Sequence, residues 1–142
     1  MSTIMLALFL VAPLAAPVAA KKPVVGCYVA RVTPAKGAGF AMDVKLTGVP
    51  AVRQPMLPAR AKRVVVHAPS GKRYKYAYWT HANGELQITF QPGMSGIRAN
   101  VIAIKGGFRG TIEHFWDFPP YESNVGSIIL KRVPCPSQRD ST

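Results

Sequence analysis

The sequence predicts an all-β domain: a single antiparallel, up-and-down barrel of eight strands, closed by a disulfide between Cys27 and Cys135. Three observations carry this. After Ala20 there is no helical period, repeat or heptad pattern, only short runs rich in β-branched and aromatic residues divided by Gly, Pro, Asn and Ser clusters. Several runs alternate apolar and polar residues with the period of two that marks a sheet with one wet face. The two cysteines flank the runs, one at the start of the first and one just past the last. A meander whose first strand pairs with its last would bring them together at the closing seam. A two-sheet sandwich with adjacent termini is the alternative architecture.

Taken in order, the expected strands are Val24–Val32, Phe40–Leu46, Arg63–His67, Arg73–Thr80, Glu85–Gln91, Ile97–Ile104, Phe108–Phe118 and Gly126–Val133. In the second, Phe40, Met42, Val44 and Leu46 share one face, with Asp43 and Lys45 on the other. In the fifth, Leu86, Ile88 and Phe90 oppose Glu85, Gln87, Thr89 and Gln91. The connections are hairpin-like: "APSGK" between strands three and four, the Asn-Gly turn of "HANGE" between four and five, "QPGMSG" between five and six, and "KGG" between six and seven. Gly110 is expected at a bulge or kink. The long connection is Gly48–Lys62, whose three prolines keep it out of the sheet interior.

The amino terminus adds a compartment. Ile4 to Ala20 form an uncharged apolar run, broken by Pro13 and Pro17 and ending in small residues, with Val18 and Ala20 placed as a signal peptidase reads them. The expected division is a cleaved signal peptide, 1–20, and one domain, 21–142. Export to the periplasm or the extracellular space makes a Cys27–Cys135 disulfide the natural state of the two thiols. Val24-Val25-Gly26-Cys27 also resembles the lipobox of bacterial lipoproteins, which implies lipid anchoring at Cys27 as a minority alternative.

The chain carries 18 Lys and Arg against 6 Asp and Glu, a net charge of +12. That favours anionic partners: lipid head groups, acidic polysaccharide or nucleic acid, the last ranked low for an exported chain. The densest binding signal is "KRVVVHAPSGKRYKYAYWTH". It holds an anion-binding surface of Lys62, Arg63, Lys72, Arg73 and Lys75 beside Tyr74, Tyr76, Tyr78 and Trp79. Alternation puts the three tyrosines on one face and Arg73, Lys75 and Trp79 on the other. If the tyrosine face is the barrel interior, Tyr74, Tyr76, Tyr78, Phe90 and Trp116 line a half-polar, half-aromatic ligand site. The plainer alternative is a filled core under a solvated edge.

Gly26-Cys27-Tyr28 in the first strand, Lys131-Arg132 in the last and the strand count together resemble the lipocalin-like barrels of the calycin group. The resemblance implies an internal site for a small apolar ligand. The family's usual Gly-x-Trp has Tyr28 at its aromatic position here, and its Thr-Asp-Tyr turn has no match in "IKGGFRG".

Chemistry-bearing constellations are sparse. On one strand Glu113 and Asp117 stand about 13 Å apart with His114 on the other face, so the three do not converge on a metal. Glu113 and Asp117 are expected to pair with nearby cations while Trp116 and Phe118 pack. "GMSGI" lacks the spacing and the strand–turn–helix context of a nucleophile elbow. "KGGFRG" has no following helix to hold phosphate. The expectation is therefore a non-enzymatic, monomeric binding protein, without metal or cofactor, that carries a small amphipathic or apolar ligand inside its barrel. The alternative is a basic surface or inhibitor protein that binds anionic lipid, polysaccharide or a protein partner.

Overall fold

A computed structural model describes residues 23–51, 57–82, 84–116 and 125–137. The expected signal segment lies outside them, as do Asp117 and Phe118 and the side chain of Trp116. Eight strands follow in chain order: β1 Gly26–Thr33, β2 Phe40–Pro50, β3 Lys62–His67, β4 Tyr76–Ala82, β5 Glu85–Gln91, β6 Ser95–Ile104, β7 Gly107–Trp116 and β8 Val125–Val133. Each pairs antiparallel with the next, and β8 pairs with β1, so the sheet closes into a barrel.

Alternation decides what the barrel contains. Tyr28, Ala30 and Val32 of β1 point inward with Met42, Val44 and Leu46 of β2. Leu86, Ile88 and Phe90 of β5 face inward opposite Val101, Ala99 and Ile97 of β6. Ile112, Ile128 and Leu130 complete the ring. Leu46, Ile88, Phe90 and Leu130 are 0% exposed. An eight-strand barrel has just enough width for its side chains to fill it, and here the buried side chains of the described residues form one core cluster. Strands β6, β7 and β8 approach closely at glycines: a Cβ on Gly107 or Gly110 would collide with the carbonyls of Leu130 and Asn100.

Several expected strand ends shift by one or two residues, and two move further. β2 continues to Pro50, which reaches Lys62 across a register shift after Leu46, so one proline of the long connection belongs to a strand end. β4 begins at Tyr76 rather than Arg73. The chain turns at Gly71, which has φ +70° and donates its N–H to the Ala68 carbonyl at 2.9 Å. Lys72, Arg73 and Lys75 then stay in solvent while Tyr74 alone turns to the core.

The seam between β1 and β8 runs from Cys27 opposite Val133 to Thr33 opposite Ser127. Just beyond it Cys27 and Cys135 are bonded, their Cα atoms 5.1 Å apart. A sulfur held in this bond is not free to carry the thioether of a lipid anchor, which disfavours the lipobox alternative.

The bond joins residues 108 positions apart, and closing such a loop removes about 4.7 kcal/mol of denatured-state entropy in the chain-entropy model. The Cys27→Ser/Cys135→Ser double variant should lose several kcal/mol in chemical denaturation while keeping its far-UV β spectrum. A midpoint unchanged from that of the oxidised protein would show that the seam holds without the bond.

Candidate functional site

The two ends of the barrel differ. At the disulfide end, Arg132 of β8 lies opposite Tyr28 of β1, its guanidinium carbon 5.0 Å from the tyrosine ring centroid. Arg132 Nη2 donates to the Tyr28 hydroxyl at 2.7 Å and to the Pro23 carbonyl; Nη1 donates to the Val25 carbonyl at 3.3 Å. The Tyr28 hydroxyl donates in turn to the Val24 carbonyl at 2.6 Å. A side chain at position 26 would displace the guanidinium, whose Nη1 would lie 2.5 Å from a Cβ there. Gly26, Tyr28 and Arg132, the residues that carry the lipocalin resemblance, therefore meet as a plug that ties the entering chain to the last strand. Beside it Trp79 Nε1 donates to the Thr47 carbonyl at 2.9 Å.

Between β3 and β4 the wall is incomplete. Among the described residues these strands pair only at Lys62 opposite Trp79 and Arg63 opposite Tyr78, whereas β6 and β7 pair from Ser95–Trp116 to Ile104–Gly107. From Val64 to His67, β3 is paired with β2 and has no ladder partner toward β4. The strands part into a cleft of about 750 Å³, lined by Arg63, Val64–Ala68, Gly71–Tyr78, Ala51 and Leu57. Four of the five cations singled out in the sequence line it, Arg63, Lys72, Arg73 and Lys75, together with all three tyrosines. Among the described residues that line it there is no Asp or Glu. Lys72 Nζ lies 5.8 Å from the Tyr74 ring centroid and Lys75 Nζ 5.3 Å from that of Tyr76, so the rings hold cations at the rim. Lys62 stands at the strand junction, half-buried, outside the lining.

The tyrosines do not share the interior face. Tyr76 and Tyr78 of β4 lie opposite Gln91 and Thr89 on the outer face, while Ala77 and Trp79 lie inward opposite Phe90 and Ile88. The expected phase is thus reversed: Trp79 is in the core, not outside with Arg73 and Lys75. A phase of two allows no compromise, and burying an indole against Ile88 outweighs burying phenols that water can reach. Tyr74, just ahead of the strand, does enter. Its ring packs edge-on against Phe90 with centroids 6.0 Å apart, and burial pushes its phenol above the usual 10.0. Phe90 forms the floor beneath Tyr74 rather than part of the cleft wall.

On the remaining outer face Glu113 pairs with Arg98 at 3.3 Å, and Arg98 also lies 5.1 Å from the Phe115 ring centroid. His114 is on the opposite face, in line with Ile97. Among the described residues no group of His, Cys, Asp and Glu could hold a metal. Comparison with protein-family models, with curated proteins and with solved structures finds no match to this chain.

Burial pushes the Tyr28 phenol above its usual 10.0, against the smaller opposing pull of the Arg132 charge. The proton it retains therefore adds stability that is fully present below pH 10.0 and is lost as pH rises through the folded-state value. Tyr28→Phe should remove one late-ionising phenol from an alkaline absorbance titration. It should also cost roughly 1–2 kcal/mol at neutral pH through the lost hydrogen bonds. A variant with the same late phase and the same stability would exclude this plug as a source of either.

Proposed function

We propose that this is an exported, non-catalytic binding protein that takes a small anionic amphipathic molecule into the β3–β4 cleft. The observation that carries the reading is the lining: among the described residues, Arg63, Lys72, Arg73 and Lys75 with three tyrosines and no carboxylate, in a space of about 750 Å³. That size is usual for small-molecule sites. A carboxylate, sulfate or phosphate head would be held by the guanidinium and ammonium groups, and an aromatic or aliphatic body would lie against the tyrosine rings. The unpaired β3 edge adds backbone donors and acceptors within the cleft. The ligand belongs in the wall because the barrel axis is occupied by Leu46, Ile88 and Phe90.

Export rests on the apolar run before Lys21 and on a disulfide that suits an oxidising compartment. Among the described residues no helix is long and apolar enough to cross a membrane.

The test is a fluorescence titration with an anionic aromatic probe, anilinonaphthalene sulfonate, at low and high salt. Arg73→Gln/Lys75→Gln should weaken binding about tenfold or more at low salt and flatten its salt dependence. Tyr74→Leu should weaken it at both salt concentrations. Probe binding unchanged in the Arg73/Lys75 variant would remove the cleft as the site.

A further inference from the structure

The wall opposite the cleft has a different character. In a ring of eight strands, β7 and β8 stand across the barrel from β3 and β4. On the outer face of β6, β7, β8 and β1 the register sets Ile102, Arg109, Ile129 and Arg31 side by side in one cross-strand row. The next row runs Ile104, Gly107, Lys131 and Val29. Ile102 and Ile129 are each 51% exposed and Ile104 is 37% exposed. Single exposed apolar residues are ordinary on a protein surface. Here three of the seven large ones exposed among the described residues fall within two adjacent rows of one face. Ile102 and Ile129 stand two strands apart, about 10 Å.

Arg31, Arg109, Lys131 and Lys105 surround them, all exposed. Among the described residues the one ion pair is Arg98–Glu113, so none of these four is paired with a described carboxylate. Among the described residues, Asp43 lies opposite Val29 on β2, and Glu85 lines the shallow groove that holds Ile102, Arg109 and Ile129.

We infer that this face docks on an anionic lipid bilayer. An interface with protein needs an apolar core depleted of charge, and Arg109, set between Ile102 and Ile129, denies it one. A second copy of the chain would present the same cations and be repelled. A bilayer surface accepts both groups in alternation: isoleucines enter the headgroup–acyl boundary while arginine and lysine heads remain among the phosphates. Each cation near such a surface contributes about fivefold in binding at low salt. Docked this way, the protein would hold the β3–β4 cleft toward water, so the two surfaces can be tested apart.

The experiment is co-sedimentation of the full chain with phosphatidylcholine vesicles, with and without phosphatidylglycerol, at low and high salt. Binding is expected to require the anionic lipid and to fall steeply with salt. Ile102→Thr/Ile129→Thr keeps β-branched residues on the strands and should weaken partitioning about tenfold. Arg31→Gln/Arg109→Gln should weaken it roughly 25-fold and reduce its salt dependence. Arg73→Gln/Lys75→Gln, at the cleft, should leave most of it intact. Each variant is compared at equal thermal stability by circular dichroism. The inference is overturned if the wild-type chain ignores phosphatidylglycerol, or if the cleft variant loses binding while the isoleucine and arginine variants keep it. It is equally overturned if this face instead mediates a dimer that Ile102→Thr/Ile129→Thr abolishes without changing vesicle binding.

Discussion

Closure at the β1–β8 seam is the constraint on which the rest of this structure depends. Once β1 lies between β2 and β8, every inward side chain is committed to a ring of fixed and small circumference. Three interactions of different kinds hold the same place: the ladder from Cys27–Val133 to Thr33–Ser127, the Cys27–Cys135 bond, and Arg132 seated on Tyr28. They differ in what they answer to. The bond acts on the unfolded chain by shortening it. The ladder and the Arg132 hydrogen bonds act on the folded state, and Arg132 also satisfies the Pro23 and Val25 carbonyls of a segment that has no strand partner of its own.

A barrel stapled at one seam can be loose elsewhere. The loss of pairing between β3 and β4 after Arg63 costs a few ladder hydrogen bonds, and the closed β1–β8 seam, three junctions away round the ring, keeps that local opening from spreading. The core beneath the opening remains covered because Tyr74 folds back over Phe90. The cleft is therefore an addition to the wall rather than a gap in the core.

Strand number, hairpin turns and the cysteine pairing were legible in the sequence because each rests on local pattern: alternation, turn residues, and two thiols flanking a meander. The phase of β4 was not. Residues 74–79 read Tyr-Lys-Tyr-Ala-Tyr-Trp, which offers a large ring on either face. What selects Trp79 for the interior is its partner strand, where Ile88 and Phe90 are already committed inward. That information is absent from the stretch itself. The true start of β4 was hidden similarly, since alternation of tyrosine with lysine or arginine continues the strand pattern upstream into residues that the Gly71 turn takes away from the ladder. The basic and aromatic residues were recognisable as a cluster. That they line one space follows from β3 and β4 parting, which is a property of register between strands and has no signature within either.

An unpaired strand edge normally invites edge-to-edge association, and the β3 segment Val64-Val65-Val66 is apolar and β-branched enough to be dangerous. Its protection comes from the opposite bank of the cleft. Lys72, Arg73 and Lys75 stand exposed there, and Pro69 and Gly71 hold the connection in a turn rather than a strand. Another β3 edge approaching would bring the same cations with it and be repelled, whereas an anion of small size would be drawn in. On the proposed function, attraction of an anionic ligand and exclusion of a second strand would be two consequences of one charge distribution. Removing the cations would then weaken both together, so the proposed affinity of this cleft and freedom from association at this edge would not be tuned independently through these residues.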